Sequence, residues 1–331
     1  MPDVRAPLVD RFGRRHNYLR ISVTDRCNFR CAYCMPNEEM EWSPKEDILT
    51  FEEILRLSQI FVSLGVDKIR LTGGEPTIRR GLTELVAGLG ALDGVKDLLL
   101  TTNGASLATM ASDLRKAGLT GVNISLDTLK ADRFLAVTKR DRLKHVLDGI
   151  DAAFSAGIPK VKINVVAMAG VNEDELVDFV DRFRDRDMEV RFIEFMPFLA
   201  NDWNRNKLLP YAEMRRIIES SFELDPIETE VSAVAKEFRV KGAKVRVGFI
   251  TSMTEDFCGG CNRLRLNADG SIKVCLFAPS GVSLRDAIRN GASDDDVAEM
   301  IRTALFGKWA GHPPMDRLIA VNDRPMIAIG G

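Results

Sequence analysis

Short apolar stretches of strand character punctuate the N-terminal part of the chain, at 18–24 (YLRISVT), 67–72 (DKIRLT), 97–102 (DLLLTT), 120–126 (TGVNISL), 160–167 (KVKINVVA) and 189–196 (EVRFIEFM). Between them apolar residues recur at helical spacing, over 50–64, 82–92, 105–117, 143–156 and 173–186. The first of these segments opens on Thr50 with Glu53 three residues on, a capping box. Strand–helix repetition of this kind predicts a parallel sheet with right-handed crossovers, either doubly wound or an open barrel.

The strand faces choose between the two. One face carries Leu19, Ile21 and Val23, Ile69 and Leu71, Val122, Ile124 and Leu126, then Val161, Ile163 and Val165. The other carries Arg20, Ser22 and Thr24, Lys68, Arg70 and Thr72, Asn123, Ser125 and Asp127, then Lys160, Lys162 and Asn164. A sheet covered by helices on both sides reads as continuous apolar runs, which these are not. The apolar faces belong against the helices, so the polar faces converge on a wet, cation-lined interior suited to an anionic ligand. The expected fold is α/β: an incomplete, open parallel β/α barrel of about six repeats with a smaller C-terminal α+β region.

Beyond Pro197 the pattern changes to a polar loop, a helix near 210–221, a strand-like run over 236–251, a hairpin over 263–277 turning at Asp269-Gly270, and two helices near 283–290 and 294–306. The division expected is 1–215 for the partial barrel and 216–331 for the smaller region.

Charge narrows the function. Of 331 residues, 46 are Lys or Arg and 48 Asp or Glu, leaving a net charge of −2, so no basic surface for general nucleic-acid binding is indicated. No apolar run reaches the roughly 18 residues of a membrane span, and the N-terminal segment has no signal-peptide core. A cytoplasmic protein is expected.

The six cysteines fall in two groups, Cys27, Cys31 and Cys34, and Cys258, Cys261 and Cys275. In a cytosolic chain grouped thiols point to metal ligands more than to disulfides. The first group follows the first strand directly, which puts it at the C-terminal end of the barrel, where active-site loops gather. Three thiolates within eight residues can hold a polynuclear 4Fe-4S centre with one iron left open. Zinc stays an alternative for each group, although a zinc ion wants four ligands and His16, the nearest histidine to the first group, lies eleven residues before Cys27. In the second group a third Cys follows C-x2-C across the hairpin, again with no fourth ligand nearby. Arg263 and Arg265 share one face of that strand. With Arg20, Arg70 and Lys162 they favour a polyanion such as a nucleoside triphosphate.

C-x3-C-x2-C with Tyr33 before the last Cys, followed by Gly73-Gly74-Glu75-Pro76 at the end of the second strand, resembles the radical S-adenosylmethionine (SAM) enzymes. Over nearly the whole chain YLRISVTDRCNFRCAYCMP, RLTGGEPTIRR, TTNG, VNISLDTL, VKINVV, RFIEFMP, FCGGCNRLRLNADG and the terminal Gly330-Gly331 resemble the GTP 3',8-cyclase family of molybdenum-cofactor biosynthesis. The resemblance implies Cys27, Cys31 and Cys34 as ligands of a SAM-binding cluster, with Tyr33, Gly74, Ser125 and Met196 around SAM. It implies Cys258, Cys261 and Cys275 as ligands of a second 4Fe-4S cluster that meets the guanine. Arg20, Arg70, Thr101, Lys162, Arg263, Leu264 and Arg265 would contact GTP.

In this family a 5'-deoxyadenosyl radical takes the ribose 3' hydrogen and the carbon radical adds to guanine C8. Catalytic parts are implied for Arg20, Arg263 and Arg265, Arg20 assisting the later reduction and protonation, and for Gly330 and Gly331, a tail that enters the site. An electron donor and the next enzyme, cyclic pyranopterin monophosphate synthase, are the implied partners, and monomer and homodimer both stay open. Two rival readings stay open, a radical SAM peptide-modifying enzyme with an auxiliary cluster and a non-catalytic iron–sulfur or zinc protein. His145 and His312 read as surface or structural histidines.

Overall fold

The computed structural model describes residues 6–35, 42–199, 201–315, 317–318 and 325–329. Its framework is six strand–helix repeats. The strands β1 (Tyr18–Ser22), β2 (Lys68–Thr72), β3 (Asp97–Thr102), β4 (Gly121–Ser125), β5 (Lys160–Ala167) and β6 (Glu189–Glu194) stand side by side in chain order, all parallel. Helices α1 (Phe51–Ser63), α2 (Leu82–Gly90), α3 (Leu107–Lys116), α4 (Ala131–Thr138), α5 (Leu143–Ser155) and α6 (Leu176–Arg182) make the crossovers. Thr50 and Glu53 cap α1 reciprocally, as their spacing predicts.

The predicted two-faced strands explain the layering. Leu19, Ile21, Ile69, Leu71, Val122, Ile124, Ile163 and Val165 are buried against the helices in one continuous core. The opposite face lines a cavity of about 650 Å³ containing Arg20, Arg70, Asn123, Ser125, Lys162 and Asn164.

The C-terminal part extends the same sheet at both edges. After α7 (Tyr211–Glu219) come β7 (Leu224–Pro226), β8 (Lys236–Val240), β9 (Arg246–Ile250), β10 (Arg263–Leu266) and β11 (Ile272–Lys273), then α8 (Leu284–Arg289) and α9 (Asp294–Phe306). β9 adds in parallel beyond β6 and β10 adds in parallel beyond β1, giving the order β11-β10-β1-β2-β3-β4-β5-β6-β9-β8-β7. Among the described residues the two ends do not pair, so the barrel is open. The run 236–251 is not one strand but an antiparallel pair, β8 and β9, reversing where Gly242 takes φ +75°. The expected boundary at 215/216 falls within α7. Gly330 and Gly331 lie outside the described residues.

Candidate active site

The parallel register puts cations side by side. Arg20 on β1 is level with Arg265 on β10 and with Arg70 on β2. Adjacent strands lie about 4.8 Å apart, so three guanidinium-bearing positions form a row across the cavity wall. Burial, reinforced by the charge of Arg265, pulls the Arg20 guanidinium well below its ordinary pKa. Burial and Arg263 bring Arg265 down to about 10. Arg70 and Arg265 are buried and Arg20 is half-buried between them, and a row of like charges so desolvated favours an entering anion. One register step earlier, Tyr18 lies between Arg263 and Lys68. Its hydroxyl accepts from Arg70 Nε at 2.5 Å, and Arg70 Nη1 donates to Thr101 Oγ1 at 3.2 Å.

Across the cavity the cations are held by carboxylates. Glu189 is buried and accepts from Lys162 Nζ at 2.5 Å and from Arg191 Nε at 2.6 Å. Arg191 Nη2 also reaches Glu237 Oε1 at 3.3 Å. Gly248 makes room for this network, because a Cβ there would stand 2.4 Å from Glu189 Oε1.

The first cysteine loop is locked to the two loops beside it. Gly74 N donates to Thr24 O and Glu75 N to Arg26 O, both at 2.7 Å, so the GGE backbone runs against the residues that lead into Cys27. Gly74 has to be glycine: a Cβ there would meet Arg26 O at 2.2 Å. Buried Glu75 accepts from Thr77 N, Thr77 Oγ1, Thr102 Oγ1 and Asn103 N at 2.6–2.9 Å. Asn103 Nδ2 closes the circuit on Asn28 Oδ1 at 2.7 Å. Tyr33 lines the cavity and its hydroxyl donates to Asp127 Oδ2 at 2.6 Å. Burial, with mutual repulsion, pushes Cys34 up to about 12 and Cys31 above its usual range, and burial pushes Cys27 up to about 11. Ionised thiols crowded in this way call for a cationic centre, and three thiols are the donor set of an iron–sulfur cluster.

Cys258, Cys261 and Cys275 line the same cavity as Tyr33 and the arginine row. Although burial raises a thiol, the charges of Arg263 and Lys308 prevail at Cys261 and bring it to about 6, favouring the ligating thiolate. The His312 backbone N–H points at Cys258, and its ring Nε2 lies 3.1 Å from Ser252 O. Among the described residues no three His, Cys, Asp or Glu side chains close around a point as a single-ion site would.

Residues 21–183 match the Radical SAM superfamily and residues 188–313 match Molybdenum Cofactor Synthesis C. The chain is 50% identical over 325 residues to the protein of Arabidopsis thaliana named GTP 3',8-cyclase, mitochondrial, covering 98% of this chain and 83% of that one. It is 45% identical over 328 residues to the GTP 3',8-cyclase of Streptomyces coelicolor, covering 98% and 96%. The chain belongs to the GTP 3',8-cyclase family. It spans about half the length, 51%, of the mammalian relatives named Molybdenum cofactor biosynthesis protein 1. SuiB of Streptococcus suis, crystallised with S-adenosylmethionine, shares the fold at TM-score 0.58 and 17% identity, over 87% of this chain and 68% of that one. GTP 3',8-cyclases use S-adenosylmethionine and two 4Fe-4S clusters.

Against that family pattern, the structure brings Arg20, Arg70, Thr101, Lys162, Arg263 and Arg265 into one cavity with Ser125 and Met196. Leu264, between Arg263 and Arg265, turns its side chain into the helix-side core, because neighbours on a strand alternate faces, so a contact with GTP there would be made by its backbone. Gly74 stands behind the cavity wall against the cysteine loop. His16 pairs with Asp10 at 3.1 Å, and burial sends it down to about 4. His145 is exposed as expected, whereas His312 lines the cavity beside Cys258. Tyr18, Arg191, Glu189, Glu237 and Lys308 were not anticipated. Continuing the β1 alternation back by two residues finds Tyr18, and applying it to β6 finds Arg191.

Proposed function

We infer that the chain converts GTP to 3',8-cyclo-7,8-dihydroguanosine 5'-triphosphate, an early step of molybdenum-cofactor biosynthesis. The observation that carries this reading is the row Arg265, Arg20, Arg70 in the same cavity as Tyr33 and the three cysteines 258, 261 and 275. A cationic cleft between two iron–sulfur sites suits a nucleoside triphosphate, and no peptide-binding or purely electron-carrying role needs it. When bound, the first cluster and S-adenosylmethionine supply the 5'-deoxyadenosyl radical that takes the ribose 3' hydrogen.

On this reading Cys27, Cys31 and Cys34 hold the first cluster, and Tyr33, Gly74, Ser125 and Met196 surround SAM. Glu75, through Thr102 and Asn103, fixes the cysteine loop relative to β2 and β3. Arg20, Arg70, Thr101, Lys162, Arg263, Leu264 and Arg265 contact GTP, the cations binding and orienting the triphosphate and Thr101 also accepting from Arg70. Arg20 stabilises charge as the purine is later reduced and protonated. Cys258, Cys261 and Cys275 hold the second cluster, which fixes the guanine against the ribose, an orientation effect that reaches several orders of magnitude. Gly330 and Gly331 complete the site from the C-terminus, a reading supported by Met326, which lines the cavity four residues before Gly330.

The partial barrel takes residues 1–215 and the C-terminal cluster-bearing region 216–331. Among the described residues no helix is long and apolar enough to cross a membrane, and a cytoplasmic location rests on the composition of the chain. An electron donor and cyclic pyranopterin monophosphate synthase are the functional partners.

The test is anaerobic reconstitution followed by incubation with 3'-deuterated GTP, SAM and dithionite. About eight irons per chain, deuterium in the 5'-deoxyadenosine and a cyclised nucleotide by mass spectrometry are expected. Zinc in place of iron, or no GTP-dependent 5'-deoxyadenosine, would end the proposal.

A further inference from the structure

Lys308 follows α9 and is 2% exposed, yet among the described residues no carboxylate forms an ion pair with it. Its Nζ donates to Arg263 O at 3.0 Å and to Val274 O. Those carbonyls belong to the residue two positions after Cys261 and the residue just before Cys275. The ammonium therefore ties together the two backbone segments that carry these cysteines. Burial pulls its pKa below the ordinary lysine value; the thiols of Cys261 and Cys275 act the other way, favouring the ammonium, while Arg263 and Arg14 add like charge. A buried ammonium is costly unless a negative charge compensates it. Here that charge can come from ionised Cys261 and Cys275.

We propose that Lys308 is the fixed counter-charge of the second 4Fe-4S cluster, setting how readily that cluster accepts an electron. The proposal rests on Cys258, Cys261 and Cys275 being the ligands of that cluster. Each electron added makes a thiolate-bound cluster more negative, so a fixed cation beside two of its three ligands favours the reduced form and raises the reduction potential. Arg14 stands further out, donating to the carbonyls of Cys258, Trp309 and Ala310. It braces the segment that carries Lys308.

The experiment uses the full chain with Cys27, Cys31 and Cys34 changed to Ala, so that only the second cluster contributes. Lys308, Lys308→Met, Lys308→Gln and Lys308→Arg forms are reconstituted anaerobically. Each is titrated with dithionite and mediators, the one-electron reduction being followed by electron paramagnetic resonance. Met and Gln are expected to lower the midpoint by at least a tenfold change in the equilibrium, about 59 mV for one electron, while Arg stays near the parent. Folded Met and Gln chains that take up no iron while Arg does would also support the proposal, the charge then being needed for assembly. An unchanged midpoint in Met and Gln overturns it. So does an Arg form as impaired as Met, or loss of fold in the iron-free Met and Gln chains by circular dichroism, because packing is then the role. A parent that binds no iron at these cysteines overturns the ligand assignment and this inference together, which a wild-type midpoint distinguishes from failure of the Lys308 role alone.

Discussion

Tyr18 Oη accepts a 2.5 Å hydrogen bond from Arg70 Nε at the floor of the cationic cavity. Burial alone would raise this phenol. The charges of Arg70, Arg20 and Lys68 prevail, with the Arg70 hydrogen bond, and bring it down to about 7. As tyrosinate, Tyr18 offsets part of the positive charge of Arg70, Arg20 and Lys68.

Because the folded pKa, about 7, lies below the ordinary tyrosine value of 10.0, the unfolded chain binds the extra proton between them. The stability Tyr18 contributes is complete above pH 10 and is lost as pH falls through 7. A bound triphosphate opposes the tyrosinate, so GTP affinity should weaken above pH 7, by up to about tenfold per pH unit, the limit for one proton. Tyr18→Phe should flatten that dependence between pH 7 and 9 in calorimetric titration and remove a tyrosinate absorbance change centred near 7. A wild-type dissociation constant independent of pH over this range would refute the coupling.

Glu189 and Glu237 should separate stability from affinity. Glu189 is almost wholly buried between Lys162 and Arg191, so Glu189→Gln leaves buried cations unpaired and should cost about 3 kcal/mol, read as a fall in Tm. Glu237 is more exposed and 3.3 Å from Arg191, so Glu237→Gln should barely move Tm. It frees positive charge for the nucleotide instead, and a severalfold tighter Kd with a steeper salt dependence is expected. Equal effects of the two substitutions on Tm and Kd would contradict this division of roles.

Gly74→Ala tests the contact between the GGE turn and the cysteine loop. The new Cβ would stand 2.2 Å from Arg26 O, and backbone has to move to relieve it. Displacement of the loop by about 1 Å should reduce 5'-deoxyadenosine formation of order 10²-fold. The clash falls on Asp25 and Arg26 and not on the second cysteine group, so at least about four irons should remain. Unimpaired SAM cleavage by the alanine variant would show that the loop is not held there.

The barrel was legible because its strands are two-faced: Arg20 beside Leu19 and Ile21, or Lys162 beside Val161 and Ile163, states which side is wet. Helix α4, ADRFLAVT, escaped notice, since eight residues give too little periodicity to stand above a loop. The placement of β10 next to β1 was not readable either. Parallel pairing of segments more than 240 residues apart is decided by tertiary packing, and it alone creates the Arg265–Arg20–Arg70 row. Lys308 and His312 lie outside regular elements, where no pattern announces a direction.

The C-terminal pair can be tested without disturbing the fold. Ile329 is buried with Phe198, Phe277 and Leu318 in a small apolar cluster beside the cavity, and Met326 and Cys275 pack against it. A chain ending at Ile329 keeps that anchor, so its Tm and iron content should match wild type. Any loss of activity then belongs to Gly330 and Gly331 themselves. If the tail completes the site, the truncated enzyme should still cleave SAM but form little cyclised nucleotide, since radical generation and productive use of the radical rest on different residues. Full cyclase activity in the truncated chain would remove both glycines from the mechanism. Loss of SAM cleavage and of product together, with clusters intact, would place them in radical generation instead.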